Sequence, residues 1–160
     1  NAAEESVRDA VRTGNEITDK DIQDAMAEID KEKDEKKKRI AKKQLCIATY
    51  VNRKTVYQLQ QRRREDDITK EKLDASKVLL ERLLGCECDI KDGECIPNPK
   101  KPIDKKNRLT PTEHENETKK MEEDFRKKTS ESDKQFDDAM RELRNSYEGE
   151  YRHYVERYWY

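Results

Sequence analysis

The sequence predicts an all-α chain. Two long, polar, coiled-coil-like helices form a helical hairpin, joined by a Cys- and Pro-containing loop and preceded by a short N-terminal helix. Three observations carry this. Leu, Ile, Val and Phe supply only 26 of 160 residues, about 16%, below the roughly 20% that a conventional packed core needs. Charged residues make up 46% of the chain yet cancel, 36 basic against 37 acidic, which argues against the strong net charge of a disordered chain. Ala, Glu, Lys, Leu and Arg total 75 residues, a composition approaching that of long helices.

Residues 1–17 read as a short helix and hinge. Ser6 with Asp9 three positions on resembles a capping box, and Gly14 is a C-terminal stop. Thr18 with Asp21 repeats the start signal. From Asp19 to Leu84 there is neither proline nor glycine, so one helix over 18–84 is expected. A break near residues 66–69 is the alternative, with Thr69 capping a new segment. Residues 85–109 hold three of the four prolines, Gly85, Gly93 and three of the four cysteines, and read as a loop or knuckle. Asp92-Gly93 within it is a two-residue hairpin turn signal. Residues 110–160 form the second long helix. Thr110, Pro111 and Glu113 give an N-cap, a proline at the first helical position and an acid at the third. Gly149 is expected to bend this helix before the tail.

An eleven-residue period marks the last third. Phe125, Phe136, Tyr147 and Tyr158 form one row, and Met121, Ser132, Leu143 and Tyr154 a second, four residues away on the same helix face. Eleven residues in three turns is about 3.67 per turn, so the stripe runs nearly straight. Its narrowness suits a seam between helices, in cis or between chains. A fainter row of the same period runs through Ile29, Ile40, Val51, Arg62, Leu73 and Leu84.

The charge is segregated. Residues 1–35 carry net −7, and residues 36–64 carry eleven cations (Lys36, Lys37, Lys38, Arg39, Lys42, Lys43, Arg53, Lys54, Arg62, Arg63 and Arg64) and no acid. Such a belt matches an acidic protein partner, in cis or in trans, or nucleic-acid phosphates read without sequence preference. Five of seven tyrosines and the one tryptophan lie in Tyr147–Tyr160. Aromatic surfaces of this kind anchor partners, so Tyr147, Tyr151, Tyr154, Tyr158, Trp159 and Tyr160 join Met121, Phe125, Phe136 and Leu143 as an expected protein interface.

Cys86, Cys88 and Cys95 are three local soft ligands, and His114 can supply a fourth, so zinc is one expectation. A Cys88–Cys95 disulfide across the turn and reduced thiols packed in a loop are the others. Cys46, between Leu45 and Ile47, reads as packing.

No phosphate loop, HExxH or dinucleotide motif is present, and no catalytic residue is assigned. No apolar run reaches a membrane-spanning length, and the N-terminus has no leader pattern, which leads to an intracellular or virion setting. The inferred shape resembles small helical subunits of virion and phage head–tail assemblies and coiled-coil scaffold proteins. That resemblance implies a non-catalytic structural protein, homo-oligomeric or part of a larger symmetric complex. A sequence-nonspecific nucleic-acid-binding accessory protein using the basic belt is the alternative.

Overall fold

A computed structural model describes residues 2–160. The chain is mostly helical. In order it contains α1 (Ala2–Thr13), α2 (Asp19–Asp30), α3 (Glu35–Leu84), strands β1 (Cys86–Lys91) and β2 (Glu94–Pro102), α4 (Pro111–Asn145) and α5 (Gly149–Glu156), with a single 3-10 turn at Lys105–Asn107. It divides into two compact units. One comprises the chain up to Arg63 together with Asp133–Tyr160, and the other is Arg64–Ser132.

In the first unit each helix starts and stops for a local reason. Gly14, at φ +67°, ends α1. Thr18 and Asp21 form a reciprocal capping box, with Thr18 Oγ1 accepting from the Asp21 N–H at 3.1 Å and Asp21 Oδ2 accepting from the Thr18 N–H at 3.2 Å. The single helix expected over 18–84 is interrupted at residues 31–34. The cause is Asp34, whose Oδ1 accepts from the N–H groups of Lys36 (2.9 Å) and Lys37 (3.3 Å) and so caps α3. Once started, α3 runs 50 residues without the break expected at 66–69, since Thr69 interrupts nothing when no glycine or proline accompanies it.

The core of this unit gathers Tyr50 and Val51 of α3, Met140 and Leu143 of α4, and Val155 of α5. Cys46, Ile47, Tyr57, Phe136, Tyr147, Tyr158 and Trp159 pack around it. α1 adds Ala10, fully buried, and Ser6, whose hydroxyl donates to the Ala48 carbonyl at 2.5 Å. The linker after α1 is clamped by buried Asn52. Its Oδ1 accepts from the Ile17 N–H at 2.9 Å, and its Nδ2 donates to the Asn15 carbonyl at 3.4 Å. A buried amide is tolerated because backbone groups satisfy it on both sides.

α4 ends at Asn145, short of the helix expected over 110–160. Ser146 closes the last turn, its hydroxyl donating to the Leu143 carbonyl at 2.6 Å. Gly149 does not bend a continuing helix. It opens α5 at φ +59°, a left-handed conformation that suits glycine.

The second unit corrects the all-α expectation. Residues 86–102 form an antiparallel β-hairpin, with Lys91 paired to Glu94 and Ile90 to Cys95. Asp92 (φ 54°) and Gly93 (φ 79°) are both left-handed, as the two central residues of a type I′ turn require. Leu79, Cys88 and Phe125 are its buried apolar residues among those described. Ser76 Oγ donates to Met121 Sδ at 3.6 Å, and Lys128 pairs with Glu71 at 3.5 Å. The strands are tied to α3 by the Cys88 N–H, which donates to Glu81 Oε2 at 2.8 Å, and the return to α4 by the Leu109 N–H, which donates to the Arg82 carbonyl at 3.0 Å. Thr110 and Glu113 then cap α4 reciprocally, with Glu113 Oε1 accepting from the Thr110 N–H at 3.1 Å. That bond holds the Glu113 carboxyl below its ordinary range.

Candidate interaction surfaces

The basic belt lies along the first thirty residues of α3, and the structure sorts its members. Arg53 is the most engaged. Its guanidinium meets Glu16 at 3.3 Å and Asp19 at 3.1 Å and donates to the Ile17 carbonyl at 3.1 Å. Lys42 pairs with Asp30 at 3.5 Å. Lys54 Nζ donates to the Tyr158 carbonyl at 2.6 Å, and burial together with the nearby Arg144 charge lowers its pKa. Lys43 lies 5.2 Å from the centre of the Tyr154 ring. These ion pairs go to the acidic N-terminal segment, α2 and its approaches. Lys36, Lys37, Arg39, Arg62 and Arg63 are exposed and form no ion pair among the described residues. Lys38 and Arg64 are half-buried.

The aromatic tail is used largely within its own unit. Val155 is fully buried, and Tyr147, Tyr158 and Trp159 pack on the core. Trp159 lies near two guanidinium groups, Arg144 at 5.5 Å and Arg152 at 5.0 Å from its ring centre. Tyr154 is half-buried and its hydroxyl donates to Glu150. Tyr151 is partly exposed, and Tyr160 is 99% exposed.

The C-terminal stripe tracks burial closely. Phe125 and Leu143 are buried, and Met121, Phe136, Tyr147, Tyr154 and Tyr158 are half-buried. Ser132, the polar member of its row, is buried too. The fainter row of the same period is not a core row. Val51 is buried, but Ile40, Arg62, Leu73 and Leu84 are exposed.

The cysteine expectations resolve in favour of the disulfide. Cys88 and Cys95 are bonded to each other, with Cα atoms 5.1 Å apart, and Cys86 and Cys46 are free thiols. The zinc set Cys86, Cys88, Cys95 and His114 is not assembled. Two of its sulfurs are bonded to one another, His114 sits in the first turn of α4, and no group of three or more His, Cys, Asp or Glu among the described residues is arranged to hold a metal.

Sequence reasoning missed two features. The first is a set of large apolar side chains left in water on the second unit: Leu73, Val78 and Leu84 of α3, and Ile90 and Ile96 of the β-hairpin. Of these, Leu73 and Leu84 were legible in the sequence as members of the fainter row, but not their exposure. The second is a cavity in the first unit, whose walls come from α2, α3, α5 and the turn after α4. Beside it the Cys46 thiol is pushed up to about 11 by burial. Tyr57, whose hydroxyl donates to Glu16 at 2.9 Å, is pushed up to about 12, first by burial and then by that carboxylate. No helix among the described residues is long and apolar enough to cross a membrane. No protein-family model, curated protein or solved structure matches the chain.

Proposed function

We propose that this chain is a non-catalytic assembly protein, a helical hairpin of α3 and α4 that binds further copies of itself through the unit Arg64–Ser132. One observation carries the reading. Among the described residues of that unit three apolar side chains are buried, Leu79, Cys88 and Phe125, while five large ones, Leu73, Val78, Leu84, Ile90 and Ile96, stay exposed. Burying one Leu, Ile or Val is worth about 1.5–3 kcal/mol, so a partner covering these residues would add several kcal/mol to a thin core. A second copy is the economical partner, because it brings an equal deficit of burial. The test is sedimentation equilibrium of the full chain beside Leu73→Lys/Leu84→Lys. The expected result is a wild-type oligomer and a monomeric, still helical variant. A monomeric wild type across the micromolar range would defeat the reading. Removing residues 147–160 is a poorer test, since that segment supplies Val155, Tyr158 and Trp159 to the chain's own core.

The belt supports a second reading, binding of nucleic-acid backbone. Its support is the exposure of Lys36, Lys37, Arg39, Arg62 and Arg63 without carboxylate partners among the described residues. Affinity for double-stranded DNA would then fall steeply with salt. Absence of binding at low salt removes this reading.

A further inference from the structure

The exposed apolar side chains of α3 in the second unit do not share one face. At about 100° per residue, Leu73, Leu80 and Leu84 fall within about 40° of one another and form a ridge about 16 Å long. Leu73 is 67% exposed and Leu84 46%, and Leu80 is half-buried. Val78, 52% exposed, lies about 140° round the helix from Leu73. Buried Leu79 stands between them, so the ridge and Val78 occupy opposite flanks of the packed side of α3.

The Val78 flank is concave. Ala75, Val78 and Leu79 of α3 and Met121 and Phe125 of α4 line a groove of about 780 Å³. Its charged rim comes from α4. Glu117, Asp124 and Glu131 recur at a heptad spacing and extend over about 21 Å, longer than the ridge. Lys120, Lys127 and Lys128 complete the rim. Lys120 is paired with Glu117 at 3.6 Å and Lys128 with Glu71 at 3.5 Å. Asp124, Glu131 and Lys127 form no ion pair among the described residues.

The ridge carries the complementary pattern. Lys70 and Lys77 border it, also at a heptad spacing, and neither forms an ion pair among the described residues. Two cations thus repeat the spacing of Asp124 and Glu131. Asp74 lies one step further round α3, as Lys127 lies one step further round α4. Ridge and groove sit on opposite flanks of one helix, so a chain cannot fill its own groove.

We propose that self-assembly is head to tail: the Leu73–Leu80–Leu84 ridge of one copy seats in the Val78 groove of the next, with Lys70 and Lys77 against Asp124 and Glu131. The inference rests on the self-assembly reading and supplies its geometry. The apolar contact provides the burial, and the charge rows fix the register. A contact between two different faces leaves a ridge free at one end and a groove at the other. It therefore builds rings or filaments in place of a closed two-fold dimer.

The test is sedimentation velocity of the full chain with two variants, alone and mixed. Leu73→Lys/Leu84→Lys spoils the ridge, and Val78→Lys spoils the groove. All three positions are exposed, so helical circular dichroism should persist. Each variant alone is expected to be monomeric. An equimolar mixture is expected to give a dimer and nothing larger, because one intact ridge meets one intact groove. A mixture that stays monomeric overturns head-to-tail assembly, as does a Val78→Lys variant that still associates like wild type, since the ridge would then pair with itself. Both results leave self-assembly standing, whereas a monomeric wild type defeats both readings. Lys70→Glu/Lys77→Glu alters no apolar residue and should weaken association at least tenfold, with recovery when Asp124→Lys/Glu131→Lys is added to the same chain. Indifference to both charge changes overturns the proposed register.

Discussion

Tyr50 and Tyr147 meet edge to face, with ring centres 5.5 Å apart and planes at 84°. Tyr50 is fully buried in the middle of the basic belt of α3, and Tyr147 comes from the turn between α4 and α5. The contact joins the belt to the aromatic tail inside one unit. Truncating Tyr147→Ala should cost about 2–4 kcal/mol of unfolding free energy, from lost burial and the ring pair. Tyr147→Phe should stay within about 0.5 kcal/mol, since burial already disfavours ionisation of its phenol. Urea titration of both variants checks this.

Stability should fall on the alkaline side. The Cys46 thiol moves from 9.0 to about 11 in the folded chain, and the Tyr57 phenol from 10.0 to about 12. Above pH 9 the unfolded chain loses the Cys46 proton first and thus binds fewer protons than the folded chain. This contribution to stability is complete below pH 9 and is lost as pH rises through 11. Cys46→Val should flatten the pH 9–11 part of the curve and leave the Tyr57 part, read as urea midpoint against pH.

The Cys88–Cys95 bridge should matter locally. It closes a short loop, and chain entropy assigns such a closure about 2–3 kcal/mol. Cys88→Ser/Cys95→Ser should speed amide exchange through β1 and β2 while the helical circular dichroism of the chain persists. Gly93→Ala should weaken the same hairpin by about 1 kcal/mol, because alanine resists a φ of +79°.

The start of α3 is set by one side chain. Asp34→Ala removes the acceptor for two backbone N–H groups and should cost about 1 kcal/mol. Faster amide exchange at Lys36 and Lys37 is the accompanying signature, and Asp34→Ser should restore most of the loss.

Much of the local structure was legible in the residues. The caps at Thr18 and Thr110, the stop at Gly14 and the turn at Asp92-Gly93 are short-range chemistry, in which each signal and its partner lie within a few positions. Ser132, the polar exception in the eleven-residue stripe, is buried all the same, because helical periodicity decides which face a residue occupies regardless of its polarity. The Asp34 cap was equally local and was obscured by the surrounding run of charges.

What the sequence determined by itself is a polar, helix-rich chain with opposed charge blocks and one aromatic end. Tertiary structure decided how those parts are used. It directed Arg53 and Lys42 to the acids of the N-terminal segment, folded the tail onto Tyr50 and Val51, bonded Cys88 to Cys95 in place of a zinc set, and left Leu73 and Leu84 in water. The physical reason is that caps and turns are settled by neighbours in the chain. Ion-pair partners and the covered side of an apolar stripe depend on which distant elements meet, and a pattern with a period of eleven is satisfied equally by several partners.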